Sequence, residues 1–266
     1  MPNSNCEKIA VITGASSGIG AVYADRFASR GYDLILVARR TDRLQAVADQ
    51  VTKAHGRHVD VVTADLEKEA DLARVEGILS SNPDIRVLVN NAGLGRLAPV
   101  GKAPLQDSLT QIALNITALT RLTHAVLPGL VARNEGVIIN IASVMGIHAL
   151  PISSVYSGSK AFVLNFSRGL QAELAETGVK VQVVLPASTA TEIWDGSGVP
   201  LSALDPSTVM TTENLVDAAL AGFDKGEAVT WPSVADETLW EKFDAARSEL
   251  FAASQTGKPA PRYAVA

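Results

Sequence analysis

The chain has 266 residues, 47% hydrophobic and 19% charged, the balance of a globular protein near the upper size of one compact domain. Its 23 basic and 28 acidic residues leave a net charge of -5, which argues against a general nucleic-acid binder and against a polybasic membrane surface. Cys6 is the only cysteine, which excludes an internal disulfide and a cysteine-built zinc site.

No uninterrupted apolar run approaches the ~20 residues a membrane span needs. Residues 1–8 are too short and polar for a secretory signal, so the expected compartment is the cytoplasm. Residues 8–13 form a short β-branched run that reads as a buried strand, and Thr13-Gly14-Ala15-Ser16-Ser17-Gly18-Ile19-Gly20 follows directly. Residues 21–30 then read as a helix stopped by Gly31. Strand, glycine-rich turn and helix together give the glycines a phosphate-binding meaning. Gly14 permits a tight turn, Gly18 lets backbone approach a pyrophosphate, and Gly20 allows close helix–strand packing.

The alternation repeats. Further strands are expected at residues 33–37, 59–63, 86–90, 136–141, 179–185 and, briefly, 229–231. Helices are expected near residues 42–54, 70–80, 105–130, 155–177, 211–225 and 236–253. Such alternation implies right-handed βαβ units, hence a single doubly wound α/β domain over residues 1–266, a parallel sheet of about seven strands with helices on both faces. Residues 187–212 break the rhythm with Ser, Thr, Gly, Pro and Trp194, and read as a lid over a substrate. Residues 255–266 read as a loosely held tail.

Residues 143–160 organise the chemistry. Tyr156 and Lys160 lie four apart at the start of a helical pattern, so they share one face. A phenol alone is a poor acid at neutral pH, with an ordinary pKa of about 10. An ammonium about 5 Å away, at an effective dielectric of ~20, favours the phenolate by roughly 3 kcal/mol, or about two pKa units. Such a pair makes a usable proton donor.

Over about residues 8–225 the chain resembles a short-chain dehydrogenase/reductase. Thr13-Gly14-x-x-x-Gly18-Ile19-Gly20 is similar to that family's cofactor turn. Asn90-Asn91-Ala92-Gly93 repeats its motif after the fourth strand, and Asp65-Leu66 stands where the family's Asp meets adenine. Asn115, Ser143, Tyr156 and Lys160 match its catalytic tetrad in type and order. The resemblance implies reversible hydride transfer between a nicotinamide cofactor and a carbonyl or alcohol. Ser143 would polarise the carbonyl and Tyr156 would donate the proton. Lys160 would lower the Tyr156 pKa and bond the ribose, and Asn115 would hold a water in the proton relay. The resemblance also implies a homo-oligomer, a tetramer or dimer, paired through the 105–130 and Tyr156 helices. A non-catalytic NADP-sensing protein on the same fold is the alternative, since fold does not fix function.

One departure stands out. The family often has Pro-Gly after the sixth strand, whereas this chain has Pro186-Ala187-Ser188-Thr189-Ala190-Thr191. Ala187 adopts a positive φ less readily than glycine, so the path past the nicotinamide is expected to shift slightly. Thr189 or Thr191 would still reach the cofactor.

The cofactor expected from the residues is NADP(H). An NAD enzyme of this fold usually carries a carboxylate about 20 residues beyond the glycine turn. Here Leu34-Ile35-Leu36-Val37 is followed by Ala38-Arg39-Arg40. Two guanidinium groups suit a 2′-phosphate, with Ser16 as a further donor and Ser17 beside it. The substrate is a small molecule, with pocket candidates Leu94, Gly95, Arg96, Val144, Met145, His148, Ile152, Ser153, Ala187, Ile193 and Trp194. Most are apolar, which leans towards a hydrophobic or aromatic carbonyl. No His/carboxylate spacing points to a metal.

Overall fold

The computed structural model describes residues 8–263, so Cys6 and the last residues of the tail lie outside the described residues. Seven strands form one all-parallel sheet: β1 (Ile9–Thr13), β2 (Asp33–Ala38), β3 (Val59–Thr63), β4 (Ile85–Asn90), β5 (Gly136–Ile141), β6 (Val179–Val184) and β7 (Val229–Thr230). Their order is β3-β2-β1-β4-β5-β6-β7, so the winding direction reverses between β1 and β4. Ligands of open parallel sheets bind at such a switch point, beyond the carboxyl ends of the strands.

The helices are α1 (Gly18–Ser29), α2 (Thr41–His55), α3 (Glu69–Ser81), α4 (Leu105–Ile112), α5 (Leu119–Arg133), α6 (Ser154–Glu173), α7 (Thr212–Asp224) and α8 (Thr238–Ala253). Alternate strand residues face opposite layers, as the pleat requires. Ala10, Ile12, Leu34 and Leu36 pack with Tyr23, Phe27, Leu44 and Val216 of α1, α2 and α7. Val11, Ile35, Leu88 and Ile138 pack on the other face with Leu72, Leu122, Val126 and Leu170 of α3, α5 and α6. Burial on both faces explains why β1, β2 and β4 read as nearly continuous apolar runs, whereas the edge strand β3 leaves Asp60 and Thr63 exposed.

The chain divides into two compact units, one ending at Pro232 and one from Ser233 onward. The sheet and every candidate site residue belong to the first. The second contains α8, none of whose residues is buried.

The single helix expected over residues 105–130 is instead α4, a π-helical stretch at Ala113–Ala118, and α5. A π stretch inserts extra backbone into an α-helix, and such insertions occur often at functional sites. Asn115 sits within it, buried. No helix among the described residues is long and apolar enough to cross a membrane.

Candidate active site

A cavity of about 800 Å³ opens along the carboxyl ends of the strands. The end of β1 shapes one wall. The Thr13 hydroxyl accepts from the Asn91 and Ala92 amides, both at 3.0 Å, and donates to the Val89 carbonyl. The Asn91 side-chain amide donates back to the Thr13 carbonyl at 2.8 Å. The glycine turn is thus laced to the loop that follows β4.

Two glycines in that turn have positive φ, +67° at Gly14 and +58° at Gly18. A Cβ on Gly14 would stand 2.8 Å from the Asn91 amide nitrogen, and one on Gly20 would meet the Gly14 carbonyl at 2.5 Å. Gly20 lies outside the cavity lining and serves the close approach of α1 to β1. Ser17 occupies the N-cap position of α1 without capping it, so no side chain takes the first-turn amides. Its hydroxyl turns away and accepts from Arg40 Nη2 at 2.8 Å; the same nitrogen reaches Ser16 at 3.2 Å. A tight glycine cradle, uncapped helix amides and an arginine braced by two serines fit a dinucleotide with a 2′-phosphate. Asp65, Leu66, Asn91, Ala92, Gly93, Pro186, Thr189 and Thr191 also line the cavity.

The expected tetrad converges, with a division of labour. Ser143 ends the strand-to-turn segment after β5. Its hydroxyl donates to the Pro186 carbonyl at 3.3 Å and accepts from the Met145 amide at 3.2 Å. Tyr156 stands on the first turns of α6, where the Ser143 hydroxyl acts to lower its phenol. The Lys160 ammonium is buried and donates to the Ile141 carbonyl at 2.9 Å. Asn115 grips the Leu94 peptide from both sides at 2.9 Å and donates to Ser159 at 3.1 Å. Its side chain lies outside the cavity lining, yet a Cβ on Gly93 would touch both Asn115 Oδ1 (3.1 Å) and Lys160 Nζ (3.6 Å).

Burial acts on Tyr156 and Lys160 in a way that spacing does not reveal. Burial raises the Tyr156 phenol above its ordinary value, and the Ser143 hydrogen bond pulls it back. Burial also lowers Lys160 to about 8. Desolvation therefore drives both groups towards their neutral forms, against the mutual attraction expected from their spacing.

The substrate end is lined by Leu94, Gly95, Arg96, Val144, Met145, Ile152, Ser153, Ala187, Ile193 and Trp194. His148 is not among them: it is exposed, because the turn after β5 carries it outward between Ser143 and Tyr156. Ser153 spends its hydroxyl on the Leu150 backbone and on Ser157. Arg96 donates to the Gly196 carbonyl. Ala187 needs no glycine-like backbone, since Asn134 is the only described non-glycine residue with a positive φ. The 187–212 segment is an excursion of short 3-10 turns whose ends are joined where Thr189 bridges Met210. Trp194 Nε1 donates to the Thr189 carbonyl at 2.8 Å. Glu192, not singled out from the sequence, reaches from this segment to Arg40 and Arg43.

This sheet, glycine cradle and Ser–Tyr–Lys cluster define a dinucleotide-dependent oxidoreductase of the doubly wound class. A family model described as short chain dehydrogenase matches residues 8–198. The chain is 39% identical over 229 residues to an NADP-dependent 3-hydroxy acid dehydrogenase of Salmonella typhimurium, covering 84% of this chain and 88% of that one. It is 38% identical over 193 residues to a very-long-chain 3-oxoacyl-CoA reductase of Anas platyrhynchos, covering 69% of this chain but only 60% of the relative. A short-chain dehydrogenase of Sphingobium yanoikuyae solved with NADPH superposes with a TM-score of 0.92 at 44% identity, covering 96% and 100% of the two chains. A bulky-bulky ketone specific alcohol dehydrogenase of Comamonas testosteroni superposes at 0.90 with 39% identity, covering 98% and 100%. The chain belongs to the short-chain dehydrogenase/reductase family, enzymes acting on CH–OH and carbonyl groups.

Proposed function

We propose that the chain is an NADP(H)-dependent reductase of ketones or aldehydes, working reversibly on the matching alcohols. The observation that carries this reading is the convergence of Ser143, Tyr156 and Lys160 at one end of a cavity whose other end holds Arg40 and Ser17. The NADPH-bound and NADP-dependent relatives support the choice of cofactor.

When bound, the nicotinamide supplies hydride to the carbonyl carbon. Ser143 polarises the carbonyl oxygen and Tyr156 gives that oxygen its proton. Burial keeps the phenol protonated at neutral pH, the form reduction needs. Lys160, while charged, opposes the rise that burial imposes on Tyr156 and bonds the ribose. Asn115 fixes the Leu94 loop against α6 and supports the water-borne relay to Lys160. Gly14, Gly18, Asp65, Asn91, Thr189 and Thr191 cradle the rest of the dinucleotide.

A bulky apolar carbonyl is the favoured substrate. Val144, Met145, Ile152, Ile193 and Trp194 dominate the pocket, and Arg96 is committed to the lid carbonyl of Gly196 rather than free to meet a carboxylate. The similarity to a bulky-ketone enzyme supports the same choice. Assembly through α4, α5 and α6 into a dimer or tetramer is part of the proposal, supported by exposed Leu105, Leu109 and Phe162. So is a cytoplasmic location.

The test is loss of NADPH absorbance with a panel of aldehydes and ketones of increasing bulk. Turnover that favours the bulky ketones supports the reductase. Tight NADPH binding without turnover on any of them would instead make the chain a cofactor-sensing protein.

A further inference from the structure

The first residue of the lid turn, Glu192, leaves its own segment and lies across the mouth of the glycine turn. Its Oε2 accepts from Arg40 Nη1 at 2.6 Å and from the Ser17 hydroxyl at 3.5 Å, while Oε1 accepts from Arg43. Arg40 uses its other nitrogen on Ser16 and Ser17. The arginine pair holds the Glu192 carboxyl below its ordinary range, so it is an anion at every working pH. Two guanidinium groups and a hydroxyl around one anion form the donor set that a phosphate dianion takes.

The rest of the lid is tied elsewhere. The Leu97 amide donates to the Ser197 carbonyl at 2.6 Å, Arg96 reaches Gly196, and Thr189 pairs with Met210. Glu192 is thus the tie between the lid and the start of α2. We infer that Glu192 is a specificity-determining residue: its carboxylate competes with the cofactor 2′-phosphate for Arg40, Arg43 and Ser17, so that phosphate binding frees the lid from α2. This inference rests on the reading of Arg40 as the residue that recognises the phosphate. It makes the phosphate do two things at once. It adds binding energy, and it releases the segment that carries Ile193 and Trp194 over the substrate.

The experiment uses adenosine 2′,5′-bisphosphate and 5′-AMP, which differ in the 2′-phosphate and carry no nicotinamide. Calorimetric affinities are measured for wild type, Glu192→Gln and Arg40→Ala, with hydrogen exchange over residues 189–199 in each state. Glu192→Gln is expected to bind the bisphosphate about fivefold tighter, the scale of one or two exposed ion pairs, with 5′-AMP changed less than about twofold. In the wild type the bisphosphate should speed exchange in the lid and 5′-AMP should not; in Glu192→Gln the exchange should be fast from the start. If wild type prefers the bisphosphate and Arg40→Ala loses that preference, but Glu192→Gln binds it no tighter, Glu192 is no competitor and the arginine reading stands alone. If wild type binds both nucleotides equally, the arginine reading itself is overturned.

Discussion

The Lys160 ammonium lies 5.8 Å from the centre of the Tyr156 ring and donates to the Ile141 carbonyl at 2.9 Å. The two side chains are close enough to feel each other, yet a backbone carbonyl rather than the Tyr156 hydroxyl holds the ammonium. Proton donation and ammonium placement are therefore separable. Tyr156→Phe removes only the hydroxyl, so NADPH affinity should stay within about twofold while kcat falls at least ~100-fold, the scale of a general acid. Single-turnover rates and fluorescence titration of NADPH check both halves. A mutant that retains near-normal kcat would remove Tyr156 from the chemistry.

Lys160 also sets a pH-dependent load on stability. The unfolded chain keeps this proton up to an ordinary value near 10.5, whereas the folded chain releases it near 8. Between those values the unfolded state binds more protons, so stability rises with pH across that window, and the cost is full below pH 8. That cost is roughly 3 kcal/mol, against about 2 for the charge-assisted Ile141 hydrogen bond. Lys160→Met should therefore be inactive and yet more stable at pH 7 by about 1 kcal/mol. The gain should reverse to a deficit of about 1 kcal/mol by about pH 10.5, where the cost is gone and the neutral amine keeps its hydrogen bond. Thermal unfolding at both pH values measures it; a variant less stable at pH 7 would refute the argument.

Tyr23 gives a cleaner stability prediction. It is fully buried between α1 and the sheet, and its hydroxyl has no hydrogen-bond partner among the described residues. Burial pushes its phenol far above the ordinary value, so the group stays neutral. Tyr23→Phe keeps the ring and its stacking on Phe27 while removing an unsatisfied hydroxyl. Stability should rise by about 1 kcal/mol, read from urea unfolding with an unchanged slope. A loss of similar size would mean that the hydroxyl has a partner, such as a buried water.

The sheet was legible because central strands buried on both faces leave nearly uninterrupted apolar runs, and each strand begins and ends within a residue or so of expectation. The glycine turn and the Tyr156–Lys160 spacing were legible because both are local. What escaped was long-range or cumulative. The π stretch around Asn115 adds backbone that a 3.6-residue pattern does not register. His148 falls between two site residues in sequence, but its turn carries it outward. Glu192 is 152 residues from Arg40 and 149 from Arg43, so no spacing announces the contact. The opposing pull of burial on Tyr156 and Lys160 depends on everything packed around them, not on their separation in the chain.

The two arginines after β2 looked equivalent in sequence, and the structure distinguishes them. Arg39 has 61% of its side chain exposed and meets Glu67 only at 3.5 Å. Arg40 is braced by Ser16, Ser17 and Glu192, at the N-cap position of α2. Ser16 and Ser17 still hold this guanidinium once Glu192 is displaced, so it loses less entropy on meeting a phosphate, and Arg40 should carry most of the cofactor preference. Wild type is expected to favour NADPH over NADH in kcat/KM by at least ~10-fold, about 1.4 kcal/mol. Arg40→Ala should lose most of that ratio, almost entirely through NADPH, because NADH offers no phosphate to bind. Arg39→Ala should keep most of it, and Arg39→Asp should narrow it by placing a carboxylate where NAD enzymes have one. Steady-state kinetics with both cofactors at one fixed salt concentration separates these cases, since exposed charges are screened by salt. A wild type indifferent to the phosphate would deny that these arginines read it. An Arg39→Ala variant that erases the preference while Arg40→Ala keeps it would transfer the role to Arg39, and the bracing of Arg40 would then serve only its tie to Glu192.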